Sequence, residues 1–315
     1  MTTKLTESCF RNMAGAYAAM FTPFTKDNKV NEAAIEEMIE YGIKNGLVGF
    51  YLTGSTGEWN TLTVEERKTV YTRAVKAVRG RAKLIAHVGA NYTDDSVELA
   101  RYAAKIGIDW LSSIAPMMYR TNFEGAYYHY KTISSATDLP FMIYSLTAAL
   151  VPERDVRFFS LKNVKGMKYT GRDYYAAQCL KRRLDKETIW FAGCDEQLLC
   201  ALALGNVFSG GIGTTYNIIP AHFAGICRLA AADKFREAAK LQDEANQVVE
   251  LMIESDNWTY RKAMMKLIGI DVGICRKPFE PISPARERAF LKRFAALGIA
   301  TAAGARRRSR GGDAL

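Results

Sequence analysis

Eight short apolar runs alternate with stretches of helical spacing through the first two-thirds of this chain, and that alternation restricts its fold more than any other feature. The runs are Gly15 to Phe21, Val48 to Thr53, Lys83 to Val88, Trp110 to Ala115, Phe141 to Ser145, Val164 to Tyr169, Thr188 to Ala192 and Phe208 to Gly213. Each is rich in Val, Ile, Phe, Tyr or Leu and bounded by Gly, Pro, Asn or Asp, as buried strands are. Between the first two, Ile35, Met38, Ile39 and Ile43 recur at helical spacing, with Asn31 as N-cap and Gly46 as stop. Likewise Thr63 caps Val64 to Arg79, and Gly80 ends it. Each parallel strand needs a crossover, so eight strand-helix units predict a (β/α)8 TIM barrel, an α/β fold with its active site at the C-terminal ends of the strands.

After Gly213 the pattern becomes helical: Pro220 to Ala231, Lys234 to Ser255, Tyr260 to Ile268 and Pro284 to Leu297. The predicted organisation is a barrel over 1–232, a C-terminal helical extension over 233–300 and a disordered basic tail over 301–315.

Composition excludes several alternatives. Hydrophobic residues make up 49% and charged residues 24% of the 315, a balance that fits neither disorder nor a coiled coil. No apolar run reaches membrane-spanning length, and Met1 to Asn12 mix Lys4, Glu7 and Arg11 with polar side chains, so neither a span nor a signal peptide is expected. The cysteines at 9, 179, 194, 200, 227 and 275 form no Cys-x-x-Cys pair, and His87, His129 and His222 are far apart. Neither a zinc site nor a disulfide framework is indicated, and reduced thiols point to the cytoplasm. The net charge of +10 would suit nucleic acid, but Arg306, Arg307, Arg308 and Arg310 against Asp313 place +3 of it in the Gly/Arg/Ser tail. No aromatic interleaving accompanies the charge, so no nucleic-acid partner is expected.

Polar residues collect at the predicted strand ends. Lys168 closes strand six; a lysine becomes nucleophilic when its ammonium is discouraged, and a strand end inside a barrel supplies the desolvation. Tyr144 ends strand five, where its hydroxyl can relay a proton to a bound keto acid while the lysine condenses with the carbonyl. Strand two runs into Thr53-Gly54-Ser55-Thr56-Gly57-Glu58. Its glycines let backbone N–H groups converge and its hydroxyls add donors, which suits a carboxylate; the other reading is a tight turn that satisfies its own helix. Glu58 reads as a structural cap. Asp195 and Glu196 follow strand seven, where paired acids can bind the hydroxyls of a polyol or cap a helix.

Together Gly54-Ser55-Thr56-Gly57-Glu58, Tyr144, Gly166-Met167-Lys168 and Gly211-Ile212-Gly213-Thr214-Thr215-Tyr216-Asn217 resemble the dihydrodipicolinate synthase and N-acetylneuraminate lyase superfamily of pyruvate-dependent class I aldolases. The resemblance runs from about Gly15 to Leu297. It implies a homotetramer of barrels, a Schiff base between Lys168 and pyruvate, carboxylate binding by Ser55 and Thr56, and proton transfer through Tyr144, with no metal or organic cofactor. Leu84 to Gly89 and Cys275-Arg276-Lys277-Pro278-Phe279 are more similar to the lyase branch. In that branch, the positions matching Asp195, Glu196 and Thr214 hold the sugar tail, and Thr170 and Gly193 stand where further substrate contacts fall. The synthase branch uses an arginine five positions after the strand-five tyrosine, where this chain has Ala149.

Two departures stand out. The family's strand-four turn has two aromatics after its proline, whereas Met117 and Met118 follow Pro116 and the first tyrosine is Tyr119. A thioether cannot relay a proton. Thr147 replaces a usual proline. The resemblance implies a lyase that cleaves N-acetylneuraminate or a similar nine-carbon 2-keto sugar acid into pyruvate and N-acetylmannosamine or a related hexosamine. The rivals are a sibling aldolase or dehydratase for a 2-keto-3-deoxy sugar acid, a dihydrodipicolinate synthase, and a noncatalytic regulatory paralogue.

Overall fold

The computed structural model describes residues 10, 12–118, 121–146, 149–255 and 257–299. Tyr119, Thr147 and the basic tail, each singled out in the sequence, lie outside them. Eight parallel strands close into one barrel in chain order: β1 (Gly15–Ala19), β2 (Gly49–Leu52), β3 (Lys83–His87), β4 (Trp110–Ile114), β5 (Phe141–Ser145), β6 (Val164–Tyr169), β7 (Ile189–Ala192) and β8 (Gly210–Gly213). Pairing of Gly15 with Gly210 begins the β1–β8 seam. Gly210 is obligatory there, since a Cβ would sit 1.9 Å from the Gly15 carbonyl oxygen.

The first helices stand where the sequence puts them. In α1 (Glu32–Lys44) the Asn31 side chain accepts from Ala34 N–H at 3.3 Å. In α2 (Val64–Val78) Thr63 and Glu66 form a reciprocal capping box. Such a cap contributes about 1 kcal/mol to its helix. The ring continues through α3 (Thr93–Ile106), α4 (Phe123–Ser134), α5 (Pro152–Asp155), α6 (Tyr174–Arg182), α7 (Leu198–Leu202) and α8 (Pro220–Ala231). Beyond it lie α9 (Phe235–Glu254), which packs on α8, then α10 (Thr259–Ala263) and α11 (Pro284–Ala296). The helix expected over Tyr260 to Ile268 is split: after α10 the chain tightens into a 3-10 turn, Met264–Ile268, which ends at left-handed Gly269.

Strand alternation divides the apolar residues into two cores. Phe50, Leu52, Leu84, Ala86, Phe141, Ile143, Met167 and Tyr169 face the helices. Tyr17, Tyr51, Ile85, Trp110, Met142, Tyr144, Ile189, Phe191 and Ile212 fill the barrel. Lys168 stands between the outward residues Met167 and Tyr169, so its side chain points into the barrel.

Candidate active site

Lys168 is 5% exposed, and its Nζ lies 4.6 Å from the centre of the Tyr51 ring and 4.3 Å from that of Tyr144. Among the described residues no carboxylate is paired with it. Tyr144 and Lys168 are register partners across β5 and β6. The Tyr144 hydroxyl is 3.4 Å from Ser55 Oγ, which ties the strand-five and strand-six residues to the turn after β2. In that turn Thr56 Oγ1 lies 2.7 Å from Thr214 Oγ1, joining the loops that follow β2 and β8.

A buried polar shell holds these groups from behind. The Tyr51 hydroxyl donates to Ser112 Oγ at 2.9 Å. His87 Nε2 accepts from Ile114 N–H at 3.3 Å, so Nδ1 carries the proton that it gives to Thr53 O at 2.9 Å. Burial, and then the Arg67 guanidinium, holds this imidazole well below its ordinary pKa, which fits the neutral tautomer. Arg67 itself donates to His87 O and, at 2.9 Å, to Gly89 O.

Asp195 is 8% exposed, and its Oδ2 accepts from Thr215 N–H at 2.7 Å. It therefore fastens the loop after β8 instead of capping its own helix. Burial pushes its carboxyl pKa up, and the Thr215 bonds oppose that. Gln242 from α9 donates to the Asp195 carbonyl at 3.1 Å. Glu196 is partly exposed and pairs with Arg172 at 3.1 Å. Thr170 and Gly193 meet closely: a Cβ on Gly193 would lie 2.0 Å from Thr170 Oγ1, a buried hydroxyl without a hydrogen-bond partner among the described residues. Asn217 secures the β8 loop by donating to Ala19 O at 2.7 Å and Thr214 O at 2.8 Å.

Glu58 corrects the sequence reading. It makes no side-chain cap bond to the 3-10 turn that follows it, stands in the left-handed region at φ 57°, and forms a buried ion pair with Lys262. Ser55, Glu58, Trp59, Asn60, Asn91, Met117, Met118, Leu146, Trp258 and Phe279 line a cavity of about 510 Å³ at the barrel mouth. The N–H groups of Met117 and Met118 donate to Asn91 Oδ1 at 3.2 and 3.3 Å. Met118 is 73% exposed, and its thioether offers no proton donor. Ala149 carries no charge, and Arg154 is engaged by Asp155 at 2.7 Å and lies over the Phe123 ring.

Trp258, Arg261, Lys262 and Tyr51 escaped the sequence reading. The Arg261 guanidinium stacks 3.6 Å from the Trp258 ring centre. Tyr51 lay within the second apolar run; for the other three the only signal was the Cys275–Phe279 motif, whose Phe279 stacks against Trp258. Among the described residues no group of three His, Cys, Asp or Glu side chains is placed to hold a metal ion. The five described cysteines are free, and among the described residues no helix is long and apolar enough to cross a membrane.

A closed parallel barrel with buried polar side chains gathered at the C-terminal strand ends is the architecture of a (β/α)8 enzyme. The chain belongs to the dihydrodipicolinate synthetase family, whose sequence model matches residues 12–296. It is 34% identical over 276 residues to an N-acetylneuraminate lyase of Fusobacterium nucleatum, covering 86% of this chain and 94% of that one. Its fold is similar to a Ruminococcus gnavus sialic acid aldolase solved as a catalytic lysine mutant, with TM-score 0.85, 26% identity, and 91% and 97% of the two chains covered. A solved dihydrodipicolinate synthase gives TM-score 0.83 at 27% identity, covering 91% and 99%, so the fold alone does not separate the two branches.

Proposed function

We propose that this protein is a class I aldolase that cleaves N-acetylneuraminate, or a similar nine-carbon 2-keto sugar acid, to pyruvate and an N-acylhexosamine such as N-acetylmannosamine. The observation that carries this is the inward Lys168, set against the Tyr144 ring, with the Tyr144 hydroxyl reaching Ser55. The relatives supply the substrate: one is a lyase for this acid, and another carries a catalytic lysine.

In this reading Ser55 and Thr56 hold the substrate carboxylate. Lys168 Nζ attacks the C2 keto carbon, and the carbinolamine loses water to give a protonated imine. The C4 hydroxyl passes its proton towards Tyr144, or towards the carboxylate that Tyr144 positions. As the C3–C4 bond breaks, its electrons enter the imine, forming an enamine and an aldehyde. Protonation at C3 and hydrolysis release pyruvate and restore the lysine. Asp195, Glu196 and Thr214 read the polyol, and Thr170 and Gly193 line its path. The unpartnered Thr170 hydroxyl supports this role, because a buried hydroxyl without a bond costs about 1–3 kcal/mol that a substrate oxygen would recover. The chemistry requires no metal or organic cofactor. The protein works in the cytoplasm as a homotetramer, with the 1–232 barrel carrying the site and the 233–300 helices attached to it.

A sibling aldolase for a shorter 2-keto-3-deoxy sugar acid is the second reading. It is favoured by Arg172, which already pairs with Glu196, one of the two acids assigned to the long tail. A dihydrodipicolinate synthase is disfavoured by Ala149 and by the engagement of Arg154 with Asp155. Borohydride reduction with pyruvate, followed by peptide mapping, tests the imine: label is expected on Lys168, and its absence overturns the mechanism. Pyruvate release from a panel of keto sugar acids decides between the two substrates.

A further inference from the structure

Lys262 and Glu58 join the C-terminal helices to the turn after β2. Lys262 is fully buried and Glu58 is 2% exposed, with Nζ 2.6 Å from Oε1. The same Nζ donates to Thr22 O at 2.7 Å and to Ile274 O at 3.2 Å. The Thr22 hydroxyl in turn donates to Gly57 O at 2.7 Å. The other Glu58 oxygen accepts from Arg276 N–H at 3.0 Å. Gly57 and Glu58, the far end of the turn, are thus gripped from the helical extension.

The turn's backbone requires such a grip. Thr53 and Glu58 bracket it, and both occupy the left-handed region, at φ 47° and 57°. That conformation is unfavourable for side chains of their kind and persists only where surrounding contacts impose it. At the near end the Thr53 hydroxyl donates to His87 O at 3.0 Å. At the far end the ion pair with Lys262 holds Glu58, together with the Arg276 N–H on its other oxygen. Ser55 and Thr56 hang between these two fixed points.

We propose that Lys262, acting through Glu58, is a positioning residue for the Ser55–Thr56 turn and so sets the affinity of the site for the carboxylate of its keto acid. This rests on the reading of that turn as the carboxylate site and of Lys168 as the imine-forming lysine. A buried ion pair returns little net stability for its desolvation, so its value here lies in the geometry that it enforces. Lys168 and Tyr144 stand on paired strands, outside the turn that the ion pair holds. Losing the pair therefore weakens the binding of keto acids and spares ketones that lack a carboxylate.

The experiment is borohydride trapping in the full chain with two probes, pyruvate and the neutral ketone hydroxyacetone. In Lys262→Met and Glu58→Gln the half-saturating pyruvate concentration is expected to rise about tenfold or more, because a displaced binding group loses its alignment. Labelling by hydroxyacetone is expected to stay within about twofold, since its reacting groups are undisturbed. Lys262→Arg, which keeps the charge, is expected to restore much of the pyruvate affinity. An unchanged pyruvate dependence in folded variants, or an equal loss with both ketones, overturns the proposal. Loss of folding in both Lys262→Met and Glu58→Gln also overturns it, by assigning the pair a purely structural role. If the unmodified chain traps neither ketone, the imine reading fails first and takes this proposal with it.

Discussion

Lys168 Nζ lies 4.3 Å from the centre of the Tyr144 ring, and the two residues are register partners on adjacent strands. This pairing separates two tasks within one contact: the ring bounds the amine, while the hydroxyl lies 3.4 Å from Ser55 Oγ. In Tyr144→Phe the ring stays and the hydroxyl goes. The expected result is a fall in kcat of about 10²- to 10⁴-fold, the usual contribution of a positioned proton-transfer group. Borohydride labelling of Lys168 with pyruvate is expected to persist. A kcat close to that of the unmodified chain would remove Tyr144 from the mechanism.

Asp195→Asn tests the polyol assignment. The residue fastens the β8 loop through the N–H of Thr215, the chain neighbour of Thr214 in the assigned tail site. The KM for N-acetylneuraminate is expected to rise about tenfold, consistent with the loss of one charged hydrogen bond, while the half-saturating pyruvate in trapping stays unchanged. An equal change in both would show that Asp195 maintains the whole site and does not read the tail.

Gly213→Ala probes the same contact from the other side. A Cβ there would lie 1.9 Å from Asp195 Oδ1, so either the carboxylate or the loop must move. Forced displacement of this kind costs about 1–3 kcal/mol, to be read from urea melts, and activity is expected to fall with it. Melts that match the unmodified chain would mean that the loop yields freely.

The buried histidines make stability depend on pH. Burial lowers His129 to about 4 from an ordinary value near 6.5, and His87 is held lower than ordinary for the reasons given above. Folding thus favours their neutral forms. Their contribution is fully present above about pH 6.5 and is lost as pH falls, for His129 down to about pH 4, where the loss reaches about 3 kcal/mol. Asp195 acts in the opposite sense, because its raised carboxyl takes up a proton on folding. Urea melts from pH 7 to 4 are expected to show a shallower loss in His129→Gln than in the unmodified chain. Parallel curves would contradict the assignment.

Much of the fold was legible because its signals are local. Strand period, Asn31, Thr63 and the Gly46 and Gly80 stops each depend on a few neighbours in the chain, and the strands differ from the expected runs only at their ends. Lys168 could be placed on strand six for the same reason. Glu58 was misread because its partner, Lys262, is remote in sequence and follows no period that points to the turn. Trp258 and Arg261 were missed likewise, since a short helix such as α10 shows nothing of what it will cover.

The sequence by itself determined the eightfold strand-helix alternation, the barrel that this alternation requires, and the strand ends on which the polar residues fall. Only the tertiary structure decided that Tyr144 reaches Ser55, that Thr56 meets Thr214, that Asp195 holds the β8 loop, and that Lys262 buries its charge against Glu58. The physical reason is one of range. Helical and strand periods arise from backbone geometry over a few residues, whereas a hydrogen bond or ion pair between distant loops exists only once barrel closure has brought the strand ends together.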